Sequence, residues 1–182
     1  IKRSCDVYFY EVARKLGVDR LAVTAKKFGL GQNVLTDFPE EKVGVVPNTK
    51  WKLNTIGKNW YIGETLHTGI GQGYFLTTPL QLCLMTAQLA NGGYQLKPRL
   101  VIKEDQRLKM NDFTFGRGRN ELKPLFRNQE NINFVKDAMF ASSNEPGGTS
   151  YGSRLKEKRF MFAGKTGSSQ IKRFTQEQRE AE

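Results

Sequence analysis

The stretch Ala163-Gly-Lys-Thr-Gly-Ser168 decides how this sequence is interpreted, and it follows the apolar run Phe160-Met-Phe162. The apolar run predicts a strand that leads into the motif. Because side chains alternate along a strand, Lys165 and Gly167 would lie on the same face. The small residues of the motif would let the backbone of a ligand lie beside it as an added strand. The stretch therefore predicts one wall of a binding cleft.

A second short pattern, Ser4-Cys5-Asp6, lies far away in the sequence at the start of a predicted helix. Ser4 is suited to cap this helix, and Asp6 in the first turn would face the positive end of the helix dipole. Gly17 would end the helix. One face is apolar at the helical period: Cys5, Phe9, Val12 and Leu16. Capping alone accounts for Ser4 and Asp6, so a chemical role for them depends on the lysine motif.

Together the two patterns hold groups that acyl transfer requires. Such a reaction needs an activated hydroxyl, a path for a proton to the leaving amine, and hydrogen-bond donors for the oxyanion. Ser4 at a helix start and Lys165 on the opposite wall would bring a hydroxyl and an ammonium into one cleft. Thr166 can donate a hydrogen bond to a substrate carboxylate, and the backbone N–H of Ser168 can point at an oxyanion.

Serine-type penicillin-recognising enzymes carry three motifs in a fixed order: S-x-x-K with the nucleophile, S-x-N or S-x-D, and K-[ST]-G. The two patterns above match the second and third motifs. The chain resembles class B penicillin-binding proteins from Ser4 to about Gln170, and its Ser-Cys-Asp form, with Asp6 where many relatives have Asn, favours the elongation-type members. The stretches that carry the resemblance are Ser4–Tyr10, Gly17–Leu21, Phe28–Gly31, Tyr61–Leu66, Gly69–Gly73, Thr77–Leu82, Ala90–Tyr94, Lys97–Pro98, Pro146–Thr149 and Ala163–Gly167.

The resemblance implies an α+β fold, an α/β sandwich of the type found in penicillin-binding proteins and serine β-lactamases, with an antiparallel sheet flanked by helices. It also implies peptidoglycan D,D-transpeptidation. In that reaction a serine attacks the penultimate D-Ala of a stem peptide, the terminal D-Ala leaves, and the acyl group passes to an amine of a neighbouring strand; β-lactams acylate the same serine. The implied site residues are, as catalytic groups, Ser4, Asp6 and Lys165, and, as substrate-binding groups, Thr166, Gly167 and Ser168. No cofactor and no metal is implied.

The first motif, which holds the nucleophile, does not occur ahead of Ser4. Two S-x-x-K matches, Ser153–Lys156 and Ser169–Lys172, both follow Ser4, and neither opens an apolar helix. A motif counts only in its structural context, so both are interpreted as coincidences. We therefore expect residues 1–182 to be part of a transpeptidase domain, incomplete at both ends, without its nucleophilic serine and inactive alone.

The formal net charge of +11 favours anionic partners. Part of the excess lies in a basic insert at about residues 97–130, which holds nine Lys or Arg and five acidic residues. One alternative function is therefore a module that binds an anionic polymer or nucleic acid, although the basic residues form no single helix stripe and the aromatic residues look like core. A second alternative is an α/β serine hydrolase that uses Ser150 of Gly148–Gly152, although the strand and helix that flank a nucleophile elbow are not predicted there.

The resemblance also implies the partners of a cell-wall enzyme: a stem peptide ending in D-Ala-D-Ala, β-lactam antibiotics, a membrane glycan polymerase and the elongation machinery, and no nucleic acid. It implies a place at the periplasmic face of the bacterial inner membrane, with the anchor outside these residues. The cysteines, Cys5 and Cys83, lie among apolar neighbours and are expected to be free and buried.

The remaining pattern predicts further elements. Asp19 would cap a second helix, and residues 30–76, rich in glycine without a sustained period, would form loops and short strands. Thr78-Pro-Leu-Gln81 is a capping box at the start of a helix. That helix is apolar nearly all round and is expected to be central and buried. A strand at 100–102, a helix from Asn131 and a turn at Pro146–Gly148 complete the predictions.

Overall fold

The computed structural model describes residues 1–35, 38, 40–98 and 123–169. The chain forms two compact units. Residues Cys5–Asp137 make the helical unit, and Ile1–Ser4 together with Ala138–Glu182 make the split unit. The described α-helices are α1 Asp6–Leu16, α2 Val18–Lys27, α3 Thr49–Ile56, α4 Ile62–Gly69, α5 Pro79–Ala90 and α6 Glu130–Asn144, with short 3-10 turns at Tyr151–Ser153 and Lys158–Phe160. No helix of the described residues is long and apolar enough to span a membrane.

Helix α1 forms where its periodicity predicts, but its cap differs from the prediction. The N-cap residue is Cys5, and no side chain caps the helix. Asp6 lies in the first turn, and the N–H of Gly17 closes the last turn on the carbonyl of Ala13. The predicted capping role of Ser4 is therefore wrong, and its hydroxyl is available for other contacts.

The core of the helical unit lies between α2 and the segments that follow it. Ala22, Leu30 and Val46 are buried at its centre. Partly buried apolar residues surround them: Ala25, Phe28, Phe75 and Met85. Helices α1 and α4 pack closely, since a Cβ at Gly69 would lie 2.5 Å from the Cβ of Ala13. The small residue at Gly69 is what allows this approach.

Two short helices replace the loops and short strands predicted for residues 30–76. Helix α3 begins at a side-chain cap, because the Oδ1 of Asn48 accepts a hydrogen bond from the N–H of Trp51 at 2.7 Å. It ends at Gly57, whose φ of 73° is left-handed. Each of α3 and α4 has only eight residues, too short to be stable without tertiary contacts.

A buried ion pair joins these two helices. The Nζ of Lys52 lies 2.5 Å from the Oε1 of Glu64, and the side chain of Lys52 is only 2% exposed. The ammonium also lies 4.5 Å from the ring centroid of Tyr61. Burial raises the pKa of the Glu64 carboxyl, but hydrogen bonds from Lys52 and from the N–H of Tyr61 outweigh it and hold the pKa below the ordinary value of 4.5. The pair supplies tertiary stabilisation that α3 and α4 need.

Helix α5 begins with the predicted capping box. The Oγ1 of Thr78 accepts from the N–H of Gln81, and the Oε1 of Gln81 accepts from the N–H of Thr78. The prediction that this helix is buried all round is wrong, because Leu82 is 44% exposed and Cys83 is exposed. Its buried residues are Gln81, Leu84 and Gln88. The amide of Gln81 donates to the carbonyls of Gln32 and Val43. The amide of Gln88 donates to the carbonyl of Phe28.

The described residues contain β-structure only as two isolated antiparallel bridges, Val45–Leu76 and Tyr94–Pro124. The second bridge joins Tyr94, just before the predicted basic insert, to Pro124 within it. Most of that insert and the predicted strand at 100–102 lie outside the described residues. The strand predicted from the apolar run Phe160–Ala163 is wrong, since Lys158–Phe160 is a 3-10 turn and the residues that follow it have no regular secondary structure. The expectation of buried cysteines is also wrong, because Cys5 and Cys83 are both exposed and free.

Candidate active site

A cluster of hydroxyl groups around one ammonium lies in the split unit. We call it the hydroxyl cluster, and its members are Ser4, Ser142, Thr149, Lys165 and Thr166. They come from the start of the chain, the end of α6, the turn after α6 and the lysine motif. The predicted partners Ser4 and Lys165, 161 residues apart, are thus in direct contact.

Ser4 is the centre of the hydroxyl cluster. Its Oγ accepts a hydrogen bond from the Nζ of Lys165 at 2.7 Å and lies 3.1 Å from the Oγ1 atoms of both Thr149 and Thr166. Ser4 has a φ of 47°, and it is the only non-glycine among the described residues with positive φ. Such backbone costs about 1 kcal/mol or more and persists where the surroundings hold it, often at functional sites.

Lys165 is held by neutral oxygen atoms. Besides the Ser4 hydroxyl, its Nζ donates to the carbonyl oxygen of Thr166 at 2.8 Å and approaches the Oγ1 of Thr166 at 3.3 Å. The side chain is exposed. No carboxylate of the described residues forms an ion pair with this ammonium, and an ammonium held by neutral oxygen atoms suits a site for a substrate carboxylate or a developing oxyanion.

The backbone of the lysine motif is anchored on the last turns of α6. The N–H of Gly164 donates to the carbonyl of Met139 at 3.2 Å, and the Nδ2 of Asn144 donates to the carbonyl of Phe162 at 2.8 Å. These bonds occupy two backbone groups that a strand ladder could use, and residues 161–169 have no regular secondary structure. The anchor fixes the position from which Lys165 reaches Ser4.

The predicted turn at Pro146–Gly148 is present and delivers Thr149 to the hydroxyl cluster. A Cβ at Gly148 would lie 2.2 Å from the carbonyl oxygen of Ser142, so only glycine fits against the end of α6. The Oγ1 of Thr149 then lies 3.2 Å from the Oγ of Ser142, whose side chain has no exposure to solvent. Thr149 lies in one of the stretches that resemble the family, but no sequence motif predicts a role for it or for Ser142.

The other predicted site residues are placed as follows. Gly167 and Ser168 are exposed beside Thr166, and a Cβ at Gly167 would meet nothing within 4 Å, so the motif offers open space there. Asp6 is exposed in the first turn of α1, in the helical unit, and none of the hydrogen bonds of the hydroxyl cluster involves it. In the described part of the chain, no group of three or more His, Cys, Asp or Glu side chains is arranged to hold a metal ion.

The serine-hydrolase alternative at Ser150 has no support in the local structure. A turn precedes Ser150, and the 3-10 turn Tyr151–Ser153 follows it, so the strand and helix of a nucleophile elbow are missing among these residues. The S-x-x-K match Ser153–Lys156 also opens no helix, because irregular chain follows Ser153. The match Ser169–Lys172 lies mostly outside the described residues.

Comparison with known families gives one clear result. A family model described as "Penicillin binding protein transpeptidase domain" matches residues 1–181. Among curated relatives, "Peptidoglycan D,D-transpeptidase MrdA" of Acinetobacter baumannii is 35% identical over 176 residues, covering 97% of this chain and 25% of that protein. The protein of the same name from Escherichia coli K12 is 31% identical over 176 residues, covering 94% of this chain and 26% of that protein. The chain thus spans about a quarter of the length of these relatives.

Solved structures give the same result for the fold. Penicillin-binding protein 2 in its complex with MreC from Helicobacter pylori is 32% identical, with a TM-score of 0.78 over 94% of this chain and 30% of that chain. Penicillin-binding protein 2 of Pseudomonas aeruginosa, in complex with WCK 5153, is 36% identical, with a TM-score of 0.68 over 84% of this chain and 33% of that chain. These likenesses confirm the predicted type of fold, while the expected antiparallel sheet is seen in the described residues only as two bridges.

Proposed function

The chain belongs to the penicillin-binding protein transpeptidase family, and from that premise we propose that it supplies part of the active site of a peptidoglycan D,D-transpeptidase. The observation that carries the proposal is the hydrogen bond of 2.7 Å between the Nζ of Lys165 and the Oγ of Ser4. It joins the two motifs that the sequence places at opposite ends of the chain. In this proposal Ser4, Lys165 and Asp6 are catalytic, and Thr166, Gly167 and Ser168 bind substrate.

The reaction has two acyl-transfer steps. A serine oxygen attacks the carbonyl carbon of the penultimate D-Ala, an ester forms, and the terminal D-Ala leaves with the proton that the serine gave up. An amine of a second stem peptide then attacks the ester, an amide forms, and the serine regains a proton. Ser4 and Lys165 form a hydrogen-bonded pair that can pass this proton between the serine and each amine.

The substrate groups follow from the exposed side of the lysine motif. The hydroxyl of Thr166 and the ammonium of Lys165 can hold the terminal carboxylate of the stem peptide, while the backbone N–H of Ser168 stabilises the oxyanion. The open space at Gly167 leaves room for the backbone of the peptide. Asp6, in the first turn of α1, is assigned to the catalytic group by its motif.

The acylated serine in this proposal is outside the 182 residues of the chain. Ser4 accepts its hydrogen bond from Lys165 of the third motif and belongs to the S-x-D motif, so it is a supporting group. The match at Ser153 opens no helix. The chain is accordingly one part of a transpeptidase domain that carries a basic insert at about 97–130 and is inactive without the segment that holds S-x-x-K.

The wider setting is proposed from the relatives. The structure of penicillin-binding protein 2 with MreC supports a partner from the elongation machinery. A membrane glycan polymerase, a D-Ala-D-Ala stem peptide and β-lactams complete the proposed partners. The proposed place is the periplasmic face of the inner membrane.

The test is covalent labelling with a fluorescent penicillin, followed by mass spectrometry of the labelled peptide. The full-length gene product should be labelled on one serine that precedes Ser4 and stands in S-x-x-K. The 182-residue chain alone should remain unlabelled under the same conditions. Labelling of any serine within residues 1–182 would refute the assignment of supporting roles, and an unlabelled full-length product would refute the proposed activity.

A further inference from the structure

We propose that Thr149 is a positioning residue of this active site, whose hydroxyl orients Ser4 and Thr166 toward Lys165. The inference rests on the proposed transpeptidase function and adds a residue that the motifs do not include. Thr149 Oγ1 lies 3.1 Å from Ser4 Oγ, 3.2 Å from Thr166 Oγ1 and 3.2 Å from Ser142 Oγ. Among the hydroxyl groups of the described cluster, only that of Thr149 contacts Ser4, Thr166 and a residue of α6.

The directions of the hydrogen bonds follow from what each group can donate. A lysine ammonium only donates, so Ser4 Oγ must accept from Lys165, and the single proton of Ser4 must then point to Thr149 or Thr166. Thr166 donates to Thr149. Thr149 in turn reaches the carbonyl oxygen of Lys2 at 3.5 Å. The hydroxyl protons of Ser4, Thr166 and Thr149 therefore point away from the ammonium of Lys165.

Ser142 holds the hydroxyl of Thr149 from the side of α6. Its Oγ has no exposure to solvent, and Thr149 Oγ1 is its hydrogen-bond partner. A buried hydroxyl that loses its partner is costly, so Ser142 favours the rotamer of Thr149 that keeps the hydroxyl in the cluster. Thr149 is thereby fixed between a buried oxygen on one side and the two motif hydroxyls on the other.

The backbone of Thr149 is held independently of its hydroxyl. Its N–H donates to the carbonyl of Lys2 at 3.1 Å, and the N–H of the next residue, Ser150, donates to the carbonyl of Ser142 at 3.1 Å. Gly148 packs against the same carbonyl. Removing only the hydroxyl should consequently leave the turn in place and release the orientation of Ser4 and Thr166.

The test compares Thr149→Val, Thr149→Ser and Ser150→Ala in the full-length gene product, using the rate of acylation by a fluorescent penicillin. Valine keeps the shape and removes the hydroxyl, serine keeps the hydroxyl, and Ser150→Ala is the neighbouring control. For Thr149→Val we expect the acylation rate constant at saturating penicillin to fall about tenfold to a hundredfold, as misplaced catalytic groups do. The half-saturating concentration should change less than the rate constant does, because the substrate-binding donors themselves remain. Thr149→Ser should recover most of the rate, and Ser150→Ala should match the wild type.

Each outcome decides the proposal. A Thr149→Val rate within about twofold of wild type, a Thr149→Ser rate as low as that of Thr149→Val, or a change confined to the half-saturating concentration would overturn it. If Thr149→Val is not recovered folded, Thr149→Ala is measured against the same criteria. A wild-type product that is not labelled at all would instead refute the proposed function, so the two failures are distinguishable.

Discussion

Replacing Lys52 by Met would test whether the buried ion pair holds the short helices α3 and α4 together. The side chain of Lys52 is 2% exposed and that of Glu64 is 21% exposed, so both charges are largely removed from water. Breaking a buried pair by removing one partner costs about 3–5 kcal/mol. In Lys52→Met, Glu64 keeps its hydrogen bond from the N–H of Tyr61 and its partial contact with solvent. The loss of stability should therefore lie near the low end of this range, at about 3 kcal/mol.

The matched variants make the prediction sharper. Glu64→Gln leaves the more deeply buried ammonium unpaired and should cost about 4 kcal/mol, more than Lys52→Met. The double variant Lys52→Met/Glu64→Gln should recover most of the loss, because replacing both charges of a buried pair is often nearly neutral. With single losses of about 3 and 4 kcal/mol and a double variant within about 1 kcal/mol of wild type, the coupling energy in the double-mutant cycle is expected to be about 6 kcal/mol.

Urea unfolding followed by tryptophan fluorescence is the suitable assay. Both tryptophans of the chain report on this region, since Trp51 and Trp60 lie 5.5 Å and 6.3 Å from the ring of Tyr74. With a slope of about 2 kcal/mol per M, a loss of about 3 kcal/mol moves the midpoint down by about 1.5 M. A midpoint shift below about 0.3 M for Lys52→Met would refute the reasoning, because a loss that small is what an exposed ion pair would give.

The pH dependence has a definite sign. The pKa of Glu64 is lowered on folding, so its stabilising contribution is fully present above the ordinary value of 4.5 and is lost as the pH falls through the lowered value. The difference in stability between wild type and Glu64→Gln should therefore shrink as the pH falls below 4.5. A difference that stays constant or grows between pH 7 and the acid range would contradict this assignment.

Three further substitutions test other parts of the structure. Gly148→Ala would place a Cβ 2.2 Å from the carbonyl oxygen of Ser142, so we expect a loss of about 2–3 kcal/mol in urea unfolding and slower penicillin labelling of the full-length product; unchanged labelling would count against the role of this turn. Gln81→Leu removes the donor to the carbonyls of Gln32 and Val43 and should cost about 2 kcal/mol, despite the gain in hydrophobicity; a stabilised variant would show that water replaces this donor. Arg14→Gln removes an exposed pair with Glu11 and should leave the melting temperature within about 1 °C, so a large drop would be unexpected.

The helices with local signals could be predicted from the sequence. Helix α1 shows one apolar face, and α5 begins with a capping box whose two hydrogen bonds are present. Helices α3 and α4 were missed because each has only eight residues and depends on the Lys52–Glu64 pair, a contact that sequence periodicity does not contain. The burial of α5 was misjudged for a related reason: its inward face carries Gln81 and Gln88, which satisfy loop carbonyls.

The candidate site shows the same division. The meeting of Ser4 with Lys165 was predicted from two motifs whose spacing in the chain says nothing about distance, and the structure joins them. Their catalytic roles remain predictions. Thr149 and Ser142 were not assigned to the site because a lone hydroxyl has no sequence signature, and only the fit of Gly148 against the end of α6 brings them together.

Penicillin labelling of the Lys165→Met variant in the full-length gene product tests the central claim most directly. Lys165 is exposed, so the substitution should leave the melting temperature unchanged while removing the ammonium that donates to Ser4 at 2.7 Å. Lys156→Met, at another exposed lysine of the split unit, is the matched control and should label like wild type. We predict that Lys165→Met slows acylation by about a hundredfold or more. Labelling of Lys165→Met at the wild-type rate would contradict the account that Ser4 and Lys165 belong to the active site.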